Sequence, residues 1–201
     1  NYSFQLLFVA DAITTAAYGL IIVYFIQETL PSRAVLNSSQ TVQERVSWNE
    51  AIRHIGRDTT FLMFSAATFL TSLVFMQAFS TLPIYMSELG LSKQDVGWLL
   101  SANGVLIVLL QLPVTHFLNR FHRVLMILSG EVLIAFGFGL TTFAETGPLL
   151  LLTIVIWTLG EVVQAAFKQS FVADLAPVPM RARYMGVFSL SHAFGLAIGA
   201  P

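Results

Sequence analysis

Long apolar runs, each about long enough to form a membrane-crossing helix, alternate along this chain with short polar breaks, and nearly all of the arginines fall in every second break. That pattern limits the fold to helices crossing a bilayer. In lipid every backbone polar group needs an internal partner, so only helices or closed barrels can span. Barrel strands of roughly ten alternating residues do not match continuous runs of this kind. The charge content agrees. Only 10% of the 201 residues are charged, against about 25% in a soluble domain, too few to cover a water-facing surface.

Six spans are expected, about Phe4–Ile26, Phe61–Met86, Val96–Leu118, Val124–Ala144, Leu149–Val172 and Met185–Pro201. The first five reach the roughly 20 residues that a 1.5 Å rise requires, and the sixth falls short. The predicted fold class is therefore an all-α membrane protein, a partial bundle of about six transmembrane helices. Arg33, Arg45, Arg53 and Arg57 follow the first span. Arg120 and Arg123 lie between the third and fourth, and Arg181 and Arg183 between the fifth and sixth. The intervening breaks hold only Lys93 and no basic residue, respectively. Basic loops stay on the cytoplasmic side. Residue 1 is then external, and the loops near 30–60, 119–123 and 174–184 are cytoplasmic, in a multi-pass protein of the cell's inner (plasma) membrane.

The start lacks an initiator Met and a basic leader, and the end stops within an apolar run, so the chain is expected to be a piece of a longer protein. Cysteine is absent, which excludes a disulfide framework and thiol metal sites. No nucleic-acid face is visible, and the partners expected are a lipid bilayer and a small molecule. The one long loop, 30–58, begins as a linker with Pro31, Ser32, Asn37, Ser38 and Ser39. It then changes character. Ser47-Trp48-Asn49-Glu50 has the form of a capping box, and Trp48, Ile52 and Ile55 share one face, which predicts a short amphipathic helix at the cytoplasmic interface. The organisation expected is 1–29 as one helix, 30–58 as the loop and 59–201 as a bundle of about five helices.

Ionisable groups at membrane depth are costly and face a cavity or a partner. By span count these are Asp11, Glu131, Glu161, Lys168 and His192. Glu131 lies about eight residues, roughly 12 Å, from the cytoplasmic end of its span. Trp157, Glu161, Gln164 and Lys168 recur at i, i+4, i+7 and i+11, a stripe suited to a water-filled cleft. Glu161 near the midplane serves either a coupling proton or a static brace between helices. Glu131 and Asp11 are further candidates for the substrate or proton pathway. Lys168 is expected to snorkel toward the cytoplasmic interface, and His192 to make a helix–helix hydrogen bond. Pro113 is placed to bend the third span. Gly195 and Gly199 have the spacing that lets helix backbones approach closely.

Three segments together carry a resemblance: Trp157-Thr158-Leu159-Gly160-Glu161, Phe171-Val172-Ala173-Asp174-Leu175-Ala176-Pro177 and Arg181-Ala182-Arg183-Tyr184-Met185-Gly186. They are similar to the tenth helix, cytoplasmic loop and start of the eleventh helix of the major facilitator superfamily, in the twelve-helix bacterial drug:proton antiporter branch. Asn119-Arg120-Phe121-His122-Arg123 stands where that family repeats its Gly-x-x-x-Asp-Arg-x-Gly-Arg signature, and only the Arg pair survives. The resemblance implies that the spans are helices six to eleven, that 30–58 is the central cytoplasmic loop, and that a preceding N-terminal half completes the transporter. It also implies no cofactor, a proton gradient as energy source, and a cytoplasmic gate at Asp174, Arg181 and Arg183. The implied function is proton-coupled efflux of small amphipathic compounds by alternating access. A sugar or peptide importer of the same fold is the alternative, and a non-transporting scaffold or sensor is the alternative of another class. An enzyme would need a convergent set such as His-Glu-x-x-His or paired intramembrane Asp residues, which the sequence lacks.

Overall fold

The computed structural model describes residues 4–25 and 47–199. Arg33, Arg45, the linker-like half of the long loop and Pro201 lie outside the described residues. The chain divides into two units, 1–43 and 44–201, each described by itself. In the first, α1 (Phe4–Phe25) is a helix of almost uniform apolar character. Its Thr14 hydroxyl bonds back to the carbonyls of Ala10 and Asp11 at 3.0 Å, which lets a polar residue remain inside an apolar helix.

Helices make up the second unit, and no strand occurs among the described residues. Its first helix, α2 (Trp48–Arg57), ends at Asp58, whose carboxylate accepts from the Phe61 amide at 3.0 Å and so starts α3 (Thr59–Met76). The predicted helix after Ser47 is present, but the Ser47 side chain makes no capping bond. The expected face is also rotated. Ala51 and Ile55 are buried, whereas Trp48 and Ile52 are exposed. Residues four apart point the same way, and it is the Ala51–Ile55 row that meets Phe61, Val172 and Tyr184.

A turn at 77–80 separates α3 from α4 (Thr81–Glu88). Pro83 explains it. A proline ring clashes with the carbonyl four residues back, here Phe79, and has no N–H to offer it. The chain tightens instead, with the Ala78 and Phe79 amides reaching Phe75 and Met76. Gly90, at φ +84°, makes the next turn, a backbone conformation that costs other residues a Cβ clash. Ser92 and Asp95 then form a reciprocal capping box for α5 (Lys93–Leu118), which runs on through Pro113. There follow α6 (Arg123–Thr141), α7 (Gly147–Leu175), a 3-10 turn at Val178–Met180, and α8 (Arg181–Gly199).

Thr59–Glu88, Lys93–Leu118, Arg123–Thr141 and Gly147–Leu175 are each long and apolar enough to cross a membrane. The protein is an all-α, multi-pass membrane protein. On α3 much of the polar side faces inward. Along α3 the buried positions are Phe61, Ser65, Thr68 and Ser72, while Met63 and Leu70 face outward. Along α5, Val108 and Leu112 are almost wholly exposed, at 78% and 79%. Water would not tolerate that arrangement, but lipid does, because association there relies on close packing and interhelical hydrogen bonds.

Small residues bring the backbones together. A Cβ placed on Gly160 would lie 2.5 Å from the Gly130 carbonyl oxygen, and one on Gly137 would lie 2.7 Å from the Trp157 Cβ. These contacts join α6 to α7. Gly195 does the same between α8 and α3, where a Cβ would meet the Phe69 carbonyl at 2.5 Å, and Gly199 abuts Leu73. The three described arginine-bearing breaks meet at one end of this unit. Arg123 pairs with Asp174, and Arg183 reaches the Ser47 carbonyl at 3.0 Å. The other breaks meet at the opposite end, where the Tyr85 hydroxyl approaches the Ala144 carbonyl at 3.5 Å.

Candidate functional site

A cavity of about 210 Å³ opens between α3, α7 and α8. Its polar wall comes from the stripe on α7. Glu161, Gln164 and Lys168 all line it, and Thr71, Ser72 and His192 face them from α3 and α8. Phe75, Phe188 and Leu196 supply apolar surface. A seven-residue spacing returns a helix nearly to the same azimuth, so a single face of α7 presents both Glu161 and Lys168.

The charges in this cavity differ in how they are satisfied. Lys168 is buried, and its Nζ pairs with Glu131 Oε1 on α6 at 2.5 Å. The second Glu131 oxygen lies 3.2 Å from the Thr71 hydroxyl, whose single proton it shares with the Ala67 carbonyl at 3.1 Å. Lys168 therefore does not snorkel to an interface. A carboxylate within reach holds the ammonium inside, because a paired charge loses less on leaving water than it would alone. Glu161 is bound differently. One oxygen accepts from Asn103 Nδ2 on α5 at 3.1 Å, and the same amide nitrogen also donates to the Thr158 hydroxyl at 3.1 Å. Among the described residues no Lys or Arg forms an ion pair with Glu161.

The Ser72 hydroxyl sits between His192 and a backbone carbonyl. It lies 2.6 Å from His192 Nδ1 and 2.8 Å from the Thr68 carbonyl. A carbonyl can only accept, so the single Ser72 proton goes to Thr68 and the other bond must be donated by His192 Nδ1–H. Two buried cavity groups, Gln164 Oε1 and Thr68 Oγ1, have no partner among the described residues.

Trp157 departs from the stripe. It is fully buried a turn beyond Glu161 along α7, stacked on Phe138 at 5.4 Å and edge-on to Phe75 at 5.8 Å. It backs the cavity through Phe75 rather than lining it. Asp11 is exposed on α1, within the first unit. At the arginine-rich end, Asp174 pairs with Arg123. Arg181 Nε donates to the Ala173 carbonyl at 2.9 Å, and the Arg183 guanidinium lies 4.8 Å from the Trp48 ring centre. Pro113 lies within α5, and Gly195 and Gly199 form the α8–α3 contact described above.

Beside these arginines lies a buried relay that sequence reasoning missed. The Tyr184 hydroxyl donates to Asp58 Oδ2 at 3.0 Å and lies 2.9 Å from His54 Nδ1. Tyr184 has one proton, so His54 Nδ1–H is the donor to it. Burial first, and then the Asp58 carboxylate, push the Tyr184 phenol up to about 12. The relay ties α2, the start of α3 and the start of α8 together. Only the polar cluster His54…Asp58 at one helix end could have hinted at it. Thr71, Ser72 and Thr68 were likewise missed, because hydroxyls inside an apolar run read as neutral spacers.

Taken together, helices long and apolar enough to cross a bilayer and a polar, charge-bearing cavity among them define a multi-pass membrane protein with a polar interior. The family comparison is specific: the Major Facilitator Superfamily model matches residues 1–200, and the chain belongs to that family. It is similar to the "Na(+), Li(+), K(+)/H(+) antiporter" of Planococcus maritimus, 25% identical over 98% of this chain and 51% of that protein. The MFS-type transporter YqjV of Bacillus subtilis (strain 168), whose activity is uncharacterised, is 23% identical over 96% of this chain and 46% of its own length. The multidrug resistance protein MdtH of Aeromonas hydrophila is 25% identical over 63% of this chain and 31% of that protein. The chain spans about half the length of the first two relatives.

Proposed function

We propose that this chain supplies about helices six to eleven of a twelve-helix, proton-coupled exporter of small amphipathic compounds. The observation that carries the reading is the cavity between α3, α7 and α8, where the Glu161 carboxylate has a hydrogen bond from Asn103 and no ion-pair partner among the described residues. Such a group can exchange a proton for a substrate without first breaking a salt bridge. Phe75 and Phe188 beside it suit an apolar substrate body. Two relatives, a cation/proton antiporter and a multidrug resistance protein, support antiport and efflux.

In this reading the substrate crosses as one half of the protein rocks against the other around a midplane site. The arginine-bearing end faces the cytoplasm, following the positive-inside rule, and residue 1 is external. Asp174, Arg181 and Arg183 belong to the cytoplasmic gate. Asp11, in the first unit, is a further candidate for the substrate or proton pathway, and Glu131 holds Lys168 in place. Retention of a fluorescent dye by cells expressing the intact transporter, with and without a protonophore, tests this. Glu161→Gln should abolish protonophore-sensitive efflux and leave membrane insertion unchanged. Full pH-dependent efflux by that variant would refute the role.

A further inference from the structure

The outer flank of α2 is left uncovered by the bundle. Ala51 and Ile55 fill the inner side of the helix, against Phe61, Val172 and Tyr184. Trp48 and Ile52 lie beside that row and are 68% and 64% exposed. Arg53 and Arg57 follow round the turn, also exposed, and among the described residues neither forms an ion pair. Glu50 is the one carboxylate on this helix. The Arg183 guanidinium, 4.8 Å from the Trp48 ring centre, adds charge at the same edge while bonded to the Ser47 carbonyl.

Position decides what can cover such a flank. Only Asp58 separates α2 from α3, which opens a segment long and apolar enough to cross a bilayer. Ala51 and Ile55 share their core with Val172, Ala176 and Tyr184, at the ends of α7 and α8, so α2 lies across the end of the unit rather than projecting from it. With α3 in a bilayer, that end stands at headgroup level. Two side chains are too small a patch for a stable protein interface, which takes about 800 Å² from each partner. They suit a helix lying in the interface plane, where Trp sits among headgroups and basic residues draw anionic lipid. We propose that the outer flank of α2 is a docking surface for anionic phospholipid, with Trp48 and Ile52 at the boundary of headgroups and acyl chains and Arg53 and Arg57 on headgroup phosphates. This goes beyond the transport reading. It needs a bilayer around α3, and neither a particular cargo nor a particular leaflet.

The test places the purified intact transporter in nanodiscs of phosphatidylglycerol and phosphatidylcholine in a fixed ratio, with brominated acyl chains on one lipid or on the other. Quenching of Trp48, taken as the difference between the protein and Trp48→Phe, reports which lipid lies against α2. Trp48 should select phosphatidylglycerol over the bulk ratio by about fivefold or better, and the selection should shrink in high salt. Arg53→Gln combined with Arg57→Gln should bring the selection close to the bulk ratio, while the paired Lys variants, which keep the charges, should retain most of it. Size-exclusion profiles establish that each variant is folded, and the salt dependence of the unmodified protein decides the matter if the Gln pair is not. Equal quenching by both lipids would overturn the proposal, as would undiminished selection in the folded Gln pair. Absence of quenching by either lipid would overturn it in favour of a protein cover over Trp48. Selection abolished by inorganic phosphate at constant ionic strength would overturn it in favour of a soluble anion. Each of these failures leaves dye efflux, and with it the transport reading, untouched.

Discussion

The Glu131–Lys168 pair gives an asymmetric mutational prediction. At 2.5 Å and an effective dielectric of about 20, the gross attraction is about 7 kcal/mol. Desolvation offsets most of it, and breaking one side of a buried pair costs about 3–5 kcal/mol. The two sides are not equally buried. The Lys168 side chain is 10% exposed and that of Glu131 is 29% exposed, and Glu131 retains the Thr71 bond when Lys168 is gone. Glu131→Gln strands a buried ammonium, so we expect a loss of about 3 kcal/mol. Lys168→Met strands a carboxylate that is wetter and still hydrogen-bonded, and about 1–2 kcal/mol is expected. The double variant should recover about 2 kcal/mol of the summed loss, within the range for contacting residues. At about 2–4 °C per kcal/mol for a unit of this size, Glu131→Gln lowers the melting temperature of the detergent-solubilised intact transporter by about 6–12 °C. Thermal unfolding followed by tryptophan fluorescence measures all three. Strict additivity, or a larger loss for Lys168→Met, would refute the reasoning.

Further outcomes follow from the packing and the relay. Gly160→Ala places a methyl 2.5 Å from the Gly130 carbonyl, and we expect about 1–3 kcal/mol of destabilisation in the same melt, against almost none for Gly139→Ala, which meets open space. Tyr184→Phe removes the bonds to Asp58 and His54 and should free α2, seen as faster amide exchange over 48–57. The Tyr184 proton is held more tightly in the folded state, so its stabilising effect is complete below about pH 10, the ordinary phenol value. That effect is lost as pH rises through about 12, and tyrosinate absorbance difference spectra should show this late step vanish in Tyr184→Phe. Arg123→Gln breaks a pair whose side chains are 46% and 60% exposed, so stability should change by less than about 1 kcal/mol, and the difference should shrink in high salt.

The helices were legible because lipid imposes length and continuity on each of them. Their ends were less so. Pro83 forces a break at 77–80, inside the span expected over Phe61–Met86, where the ring would have met Phe79. Ser47-x-x-Glu50 and Ser92-x-x-Asp95 read alike, yet only the second closes a capping box. The first has its helix held from outside, by Arg183 on the Ser47 carbonyl and by Ala51 and Ile55 in the core. Helical spacing alone brought Glu161, Gln164 and Lys168 to one wall. Spacing could not separate Trp157 from them, since a large ring follows the neighbours that can cover it, here Phe75 and Phe138. Nor could it join Lys168 to Glu131, because a pairing between helices depends on how deeply each sits against the next. Gly130 and Gly160 set that depth.

The glycine seams determine where this bundle can give. Backbones that touch, as α6 touches α7 and α8 touches α3, behave as two planks whose members cannot slide without collision. The slot between the planks is bridged at its edge by Thr71 and Glu131, a contact that a water molecule or a passing solute can take over. Motion should therefore run along that slot, and the passenger would loosen this polar fastening while the rings of Phe64 on Phe171 and of Phe75 on Phe138 and Trp157 keep the planks in register.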